Sequence, residues 1–175
     1  MNFDKYILIT GGAGFIGSHL IKRFVKEYKN YFIINLDNLT YASNIKSILD
    51  LDGKPNYQFI KGDISDKSVI KNIFNDIKID SIIHLAAESH VDNSIEDPLL
   101  FVQTNILGTI NLLEEAKLRW YNSNLNHLFY AISTDEVYGS LGKKGFFSEK
   151  SPYLPKSPYS ASKASADHFI RAYGN

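Results

Sequence analysis

Apolar runs and helix-period segments alternate along this chain. Residues 6–10 form a short apolar run that ends in glycines, and 31–37, 57–60, 81–87 and 128–133 are further runs of the same kind. Between them lie segments with apolar residues three and four apart. In 15–28 these are Phe15, Ile16, Leu20, Phe24 and Val25, the spacing of one helix face. Asp66 is placed to cap a helix running to about Ile77, and 98–120 and 159–173 read as two more helices. Residues 139–158, rich in Gly, Ser, Pro and Lys, read as a loop. The strands are continuous apolar runs and do not alternate with polar residues, the mark of a parallel sheet covered on both faces. Strands alternating with helices predict one α/β domain, a doubly wound parallel sheet of the Rossmann type with right-handed crossovers.

Composition narrows the choice of partners. The 175 residues are 44% hydrophobic and 22% charged, which suits a globular domain with a full core. Lys and Arg balance Asp and Glu at a net charge of zero, which argues against nucleic acid or an anionic membrane as the main partner. No cysteine is present, so neither a disulfide nor a thiolate nucleophile exists in these residues. Asp4 and Lys5 interrupt any early apolar run, and no apolar stretch approaches membrane length. A cytoplasmic location is the expectation.

Gly11, Gly14 and Gly17 recur every third residue between the first strand and the first helix. Glycine allows a tight turn and close backbone approach to a pyrophosphate, and the helix start offers free N–H groups to it. Asp37 ends the second strand twenty residues beyond Gly17. A carboxylate there accepts from ribose hydroxyls and repels a 2′-phosphate, which favours NAD over NADP. Asp63 ends the third strand and is placed near the adenine, although a turn role alone would also account for it.

Tyr159 and Lys163 lie four apart at the start of the last helix and share a face. A nearby ammonium favours phenolate, so the spacing predicts a lowered phenol pKa and a tyrosine base. Thr134, Asp135 and Glu136 follow the fifth strand at once, where ligands of open α/β sheets bind. A simple dehydrogenase needs a hydroxyl and a tyrosine; two extra acids suggest one carboxyl that donates a proton and one that accepts. His84, His90 and His168 have no metal-ligand spacing and read as structural or surface residues. No metal site is expected.

Together these motifs resemble the extended short-chain dehydrogenase/reductase family, most closely its nucleotide-sugar 4,6-dehydratases. The matching stretches are 10–20, 37–42, 62–64, 84–92, 104–105, 133–139 and 159–164, spread over essentially the whole chain. The Thr134-Asp135-Glu136 triplet discriminates best, because epimerases of the family usually carry small residues where the acids stand. The resemblance implies NAD as cofactor and dTDP-glucose as substrate, converted to dTDP-4-keto-6-deoxyglucose. In it Tyr159 takes the C4 hydroxyl proton, Thr134 bonds the C4 oxygen, Glu136 removes the C5 proton and Asp135 protonates the departing C6 hydroxyl. Lys163 reaches the nicotinamide ribose. Phe15 and Ile16 meet the pyrophosphate, and Asp37, Asn38, Leu39, Thr40, Asp63, Ile64, Leu85, Ala86, Ala87, Ser89 and Thr104 line the cofactor, with Ser89 also touching substrate. How the adjacent Asp135 and Glu136 reach two different carbons is not evident without a bend after the strand.

Members of the family are roughly double this length. The resemblance therefore implies that the C-terminal nucleotide-sugar domain is missing from 1–175, and that the fragment is weakly active or inactive with an exposed sheet edge. It also implies a homodimer through the helices near 98–120 and 159–173. Two alternatives stay open: another nucleotide-sugar dehydratase or epimerase, and a module that binds NAD without catalysis.

Overall fold

The computed structural model describes residues 2–174. Five strands, β1 (Lys5–Thr10), β2 (Tyr31–Asp37), β3 (Tyr57–Lys61), β4 (Ser81–His84) and β5 (Leu128–Ala131), form one sheet in the order β3-β2-β1-β4-β5. Every neighbouring pair is parallel. The chain winds outward from β1 to β3, then crosses back to β4 on the other side of β1. That reversal puts a switch point at the C-terminal ends of β1 and β4, where a doubly wound sheet opens a crevice.

Successive side chains of a strand point to opposite faces, and β1 shows the consequence. Ile7 and Ile9 enter a core with Ile21 and Val25 of α1 (Phe15–Glu27) and with Ile48 and Leu51 of the 3₁₀ segment Ile45–Leu51. Leu8, between them, enters a second core with Ile70, Ile73 and Phe74 of α2 (Lys67–Asp76) and with Leu112 and Ala116 farther along the chain. Both faces of the sheet at β1 are thus covered by helix, as its unbroken apolar run requires, whereas Leu128 and Tyr130 on one face of β5 stay exposed. Asp66 caps α2 by accepting from Ser68 N–H, as predicted.

The second half contains the departures from the predicted elements. β4 and β5 stop at His84 and Ala131, three and two residues short of the predicted ends. The last ladder bonds of these strands run from Leu85 N–H to Thr10 O of β1 and from Ile132 N–H to His84 O of β4; beyond them the chain leaves the sheet to line the crevice. A short helix α3 (Val91–Glu96) follows, too brief to register as a period in sequence. The predicted helix over 98–120 is continuous but not uniform. It begins as α4 (Pro98–Phe101), loosens to a π-helical stretch over Val102–Leu107 and resumes as α5 (Gly108–Trp120). A wider turn of this kind is frequent at functional sites, and here it carries Thr104 to the crevice and buries the Asn105 side chain. The last helix, α6 (Pro158–Tyr173), starts one residue earlier than predicted. Ser157 and Ser160 form a reciprocal capping box around Pro158 at the first helical position. No helix of the described residues is long and apolar enough to cross a membrane.

Candidate active site

A cavity of about 420 Å³ lies along the switch point. Its floor is the turn after β1. Gly11 has φ +74°, and a Cβ there would lie 2.6 Å from the Ala86 N atom. A Cβ on Gly17 would lie 2.1 Å from Gly11 O. These two glycines let three stretches of backbone meet at van der Waals limits, which no side chain permits. α1 begins over this floor at Gly14, with no side chain capping its first turn. Phe15 and Ile16, at the helix start, line the cavity where unpaired N–H groups and the positive helix end favour an anion.

Asp37 closes the β2 side. Its buried carboxylate accepts from Ala13 N–H at 2.8 Å, Leu39 N–H at 2.8 Å and the Ser43 hydroxyl at 2.7 Å. A carboxylate has about four acceptor positions, so one is left for a ligand hydroxyl. Leu39 is the one proposed cofactor residue whose side chain turns away: its backbone sits at φ +58° and its side chain packs on the α1-side core. Asn38 and Thr40 line the cavity on either side of it. Asp63 accepts from Asn38 Nδ2 at 2.8 Å and from the Ser65 N–H and hydroxyl, so it fixes the β2 and β3 loops to each other beside the groove.

The opposite wall holds Leu85, Ala86, Ala87 and Ser89 after β4, Thr104 from the π-helical stretch, and Tyr159 and Lys163 from α6. Every other proposed cofactor residue lines this one groove as well. Glu88, within the stretch 85–89 that the resemblance sets along the cofactor, lines it too, as does Ser43, which sequence reasoning missed. Glu88 is buried, with its main chain clamped by Asn105 and its carboxylate accepting from the Tyr41 hydroxyl. Nothing in the local pattern announces these contacts, because each joins residues more than fifteen apart or depends on a loop path.

The structure corrects the electrostatic expectation for Tyr159. Burial raises its pKa, the nearby Glu136 and Asp135 add to the rise, and only a hydrogen bond with Thr134 opposes it. Lys163 is not among the groups that lower the phenol here; its ammonium donates to Ile132 O at 2.7 Å. Burial lowers the Lys163 pKa, partly offset by Asp167 one turn along α6. Asp167 is a second missed residue. It accepts from Ser133 Oγ at 2.5 Å and from the Tyr153 hydroxyl at 2.9 Å, which ties the residue before Thr134 and the 139–157 loop to the helix of Tyr159. Burial and Asp167 together push the Tyr153 phenol up to about 12.

Thr134, Asp135 and Glu136 stand beyond the groove, at the end of β5. Thr134 is extended and its hydroxyl accepts from Glu136 N–H, which starts a single 3₁₀ turn over Asp135–Tyr138 anchored by the buried Val137. At three residues per turn, consecutive side chains diverge by about 120°. This is the bend that lets neighbouring acids face different atoms, and both are exposed. Among the described residues, no group of three or more His, Asp or Glu is arranged to hold a metal.

The sequence matches the family described as GDP-mannose 4,6 dehydratase over residues 8–175. A probable dTDP-glucose 4,6-dehydratase of Sinorhizobium fredii is 50% identical over 95% of this chain and 48% of its own length. The dTDP-glucose 4,6-dehydratase of Haemophilus influenzae is 50% identical over 95% of this chain and 51% of its own. Among solved structures, a dTDP-glucose 4,6-dehydratase from Streptomyces venezuelae with NAD bound superposes with a TM-score of 0.84 at 40% identity, over 96% of this chain and 51% of that one. A UDP-glucose 4-epimerase from Thermus thermophilus, also with NAD, gives 0.82 at 32% identity over 97% of this chain and 50% of that one. The chain spans about half the length of the curated relatives it matches. By sequence over nearly all its residues, it belongs to the GDP-mannose 4,6 dehydratase family.

Proposed function

We propose that this chain is the NAD-binding and catalytic half of a dTDP-glucose 4,6-dehydratase, a cytoplasmic lyase that forms dTDP-4-keto-6-deoxyglucose. The observation that carries this reading is one juxtaposition. Tyr159 and Lys163 share a groove with the glycine turn and Asp37, and the Thr134-Asp135-Glu136 turn stands at the adjacent strand end.

The groove fits the cofactor. Gly11 and Gly17 leave room that a Cβ would fill, the start of α1 is uncapped, and Asp37 keeps one acceptor position. Gly14, Phe15 and Ile16 would take the pyrophosphate, Asp37 a ribose hydroxyl, and Lys163 the nicotinamide ribose. NAD, when bound, supplies the acceptor for a hydride from the sugar C4 and its donor to C6. Tyr159 would receive the C4 hydroxyl proton in its phenolate form, which burial and the neighbouring acids disfavour in the unliganded chain, and Thr134 would hold the C4 oxygen. The C4 ketone acidifies the C5 proton, which Glu136 removes while Asp135 protonates the departing C6 hydroxyl, so one water leaves, and Glu136 returns the proton to C5 to complete the product. Thr134 is suited to this because its hydroxyl accepts from Glu136 N–H and its side chain lies beside the Tyr159 phenol, so it neighbours both partners.

Binding energy from remote parts of a substrate drives chemistry at the reacting centre. Since the chain spans half the length of its relatives, slow or absent turnover on its own is expected, alongside intact cofactor binding. We also propose a homodimer through the helices over 98–120 and 158–173. Exposed Leu107, Leu118 and Phe169 on those helices support it, and a monomer in concentrated solution by sedimentation would contradict it.

Glu136→Gln tests the catalytic assignment. In proton NMR with NAD and dTDP-glucose, the C6 methyl signal of the product should vanish in this variant while NAD affinity stays within about twofold of the parent. Where the parent chain alone gives no methyl signal, the same comparison is made with these residues in the complete protein. Persistent dehydration in Glu136→Gln contradicts the assignment. A folded parent that binds NAD but dehydrates nothing in either setting favours the binding-only module.

A further inference from the structure

His84 is a buried titratable side chain that the chemistry above does not use. It ends β4 between two threonines. Its Nδ1 lies 2.7 Å from Thr10 Oγ1, and its Nε2 lies 3.0 Å from Thr109 Oγ1. The other bonds of those threonines fix the direction of each contact. Thr109 spends its one hydroxyl hydrogen on Asn105 O at 2.6 Å, so its oxygen accepts from His84 and Nε2 must carry hydrogen. Thr10 Oγ1 already accepts from Ala86 N–H at 3.2 Å and has one hydrogen left to give, which Nδ1 can take only if bare. A protonated Nδ1 would leave that hydroxyl hydrogen without an acceptor in a site closed to water. Every donor and acceptor is matched in one arrangement alone.

The chain of bonds has consequences at both ends. On one side it joins Thr10, the residue before Gly11, to Ala86, the backbone against which Gly11 packs. On the other it reaches Asn105, whose side chain accepts from Glu88 N–H and donates to Glu88 O and to Ser162 Oγ. Ser162 in turn donates to Tyr159 O. A continuous buried path therefore runs from the glycine turn to the first turn of α6. Lys163 is the charged neighbour felt by His84, and a second positive charge beside it in this buried setting would be repelled.

We propose that His84 is a positioning residue: a histidine held neutral, with hydrogen on Nε2 alone, that couples the glycine turn of the cofactor groove to the helix carrying Tyr159 and Lys163. The coupling to cofactor rests on the NAD reading above; the state of the ring does not.

The test uses the intact chain with ¹⁵N-labelled histidine, with His84→Gln identifying the resonance. Long-range ¹H–¹⁵N spectra should show a protonated Nε2 and a bare Nδ1, unchanged from pH 5 to 8. A ring that titrates in that range, or carries hydrogen on Nδ1, overturns the proposal. The coupling is read in Thr109→Val, which keeps the shape of the side chain, removes the hydroxyl and lies outside the groove. Its NAD affinity should fall about tenfold, the effect of one buried hydrogen bond left unmade. Ile73→Ala, a core change on α2 outside the path, should lower Tm and leave NAD affinity within about twofold. Equal affinities for the two variants mean that the path is only structural and overturn the coupling. Where the folded parent chain binds no NAD, it is the cofactor reading that fails. Amide exchange at Gly11 and Gly14 then decides the coupling: faster in Thr109→Val than in Ile73→Ala supports it, and equal rates overturn it.

Discussion

The two ends of the groove are built differently. At the β1–α1–β2 end, geometry is fixed by main chain: Gly11 and Gly17 allow contacts that no Cβ permits, and a buried Asp37 gathers three donors. At the β5 end the proposed reactive groups sit on a one-turn projection at the rim of the sheet. Leu128 and Tyr130 of β5 are about half exposed, and Phe146 in the loop beyond is 87% exposed. The β1–α1–β2 end is thus complete in its own contacts, whereas the β5 end presents apolar surface of the kind that other protein normally covers. Binding of cofactor and turnover of substrate should therefore separate in this chain.

The largest effect should come from overfilling the complete end. Gly17→Val places a side chain where 2.1 Å separates the Cβ position from Gly11 O. Strain of up to about 3 kcal/mol corresponds to roughly 100-fold weaker NAD binding, measured by titration calorimetry. Retained affinity would show that the turn is not the cofactor floor. Next, Asp37→Asn removes the charge but keeps the shape; NAD should bind about tenfold more weakly, and the preference over NADP should narrow.

Stability against pH bears on the buried path between the two ends. Burial first, and then Lys163, depress the His84 pKa from 6.5 to about 3. The unfolded chain therefore binds a proton that the folded chain refuses between those values. Stability is fully present above pH 6.5, falls by up to about 1.4 kcal/mol per pH unit as pH drops through this window, and stops falling from this source near pH 3. The stability gap between the parent and His84→Gln in denaturant melts should change as pH rises from 3 to 6.5 and hold constant above 6.5; a gap that stays constant across pH 3 to 6.5 would contradict the buried neutral ring. The smallest effect belongs to the open rim. Tyr130→Lys should reduce self-association in light scattering and leave NAD affinity within about twofold. A loss of NAD binding there would mean that the two ends are not separable.

The same division governs what could be read from the sequence. The glycines, Asp37 and the Tyr159/Lys163 pair were legible because each depends on spacing along one strand–turn–helix unit. The strand pattern gave the doubly wound sheet, because burial on both faces leaves an unbroken apolar run. Asp167, the clamp on Glu88 and the His84 path were not legible, since Ser133–Asp167, Glu88–Asn105 and Thr10–His84 join residues that only the folded topology brings together. The orientation of Leu39 hangs on a positive φ at a residue that rarely adopts one. The raised Tyr159 phenol follows from burial and from the neighbouring Glu136 and Asp135, neither of which the spacing of Tyr159 and Lys163 along the helix reveals.

The most direct measurement is titration of the purified chain with NAD and, separately, NADP. The account predicts a single site per chain for NAD, weaker binding of NADP, and no dependence on added sugar nucleotide. A chain that is folded by circular dichroism yet binds neither dinucleotide would contradict it at its centre.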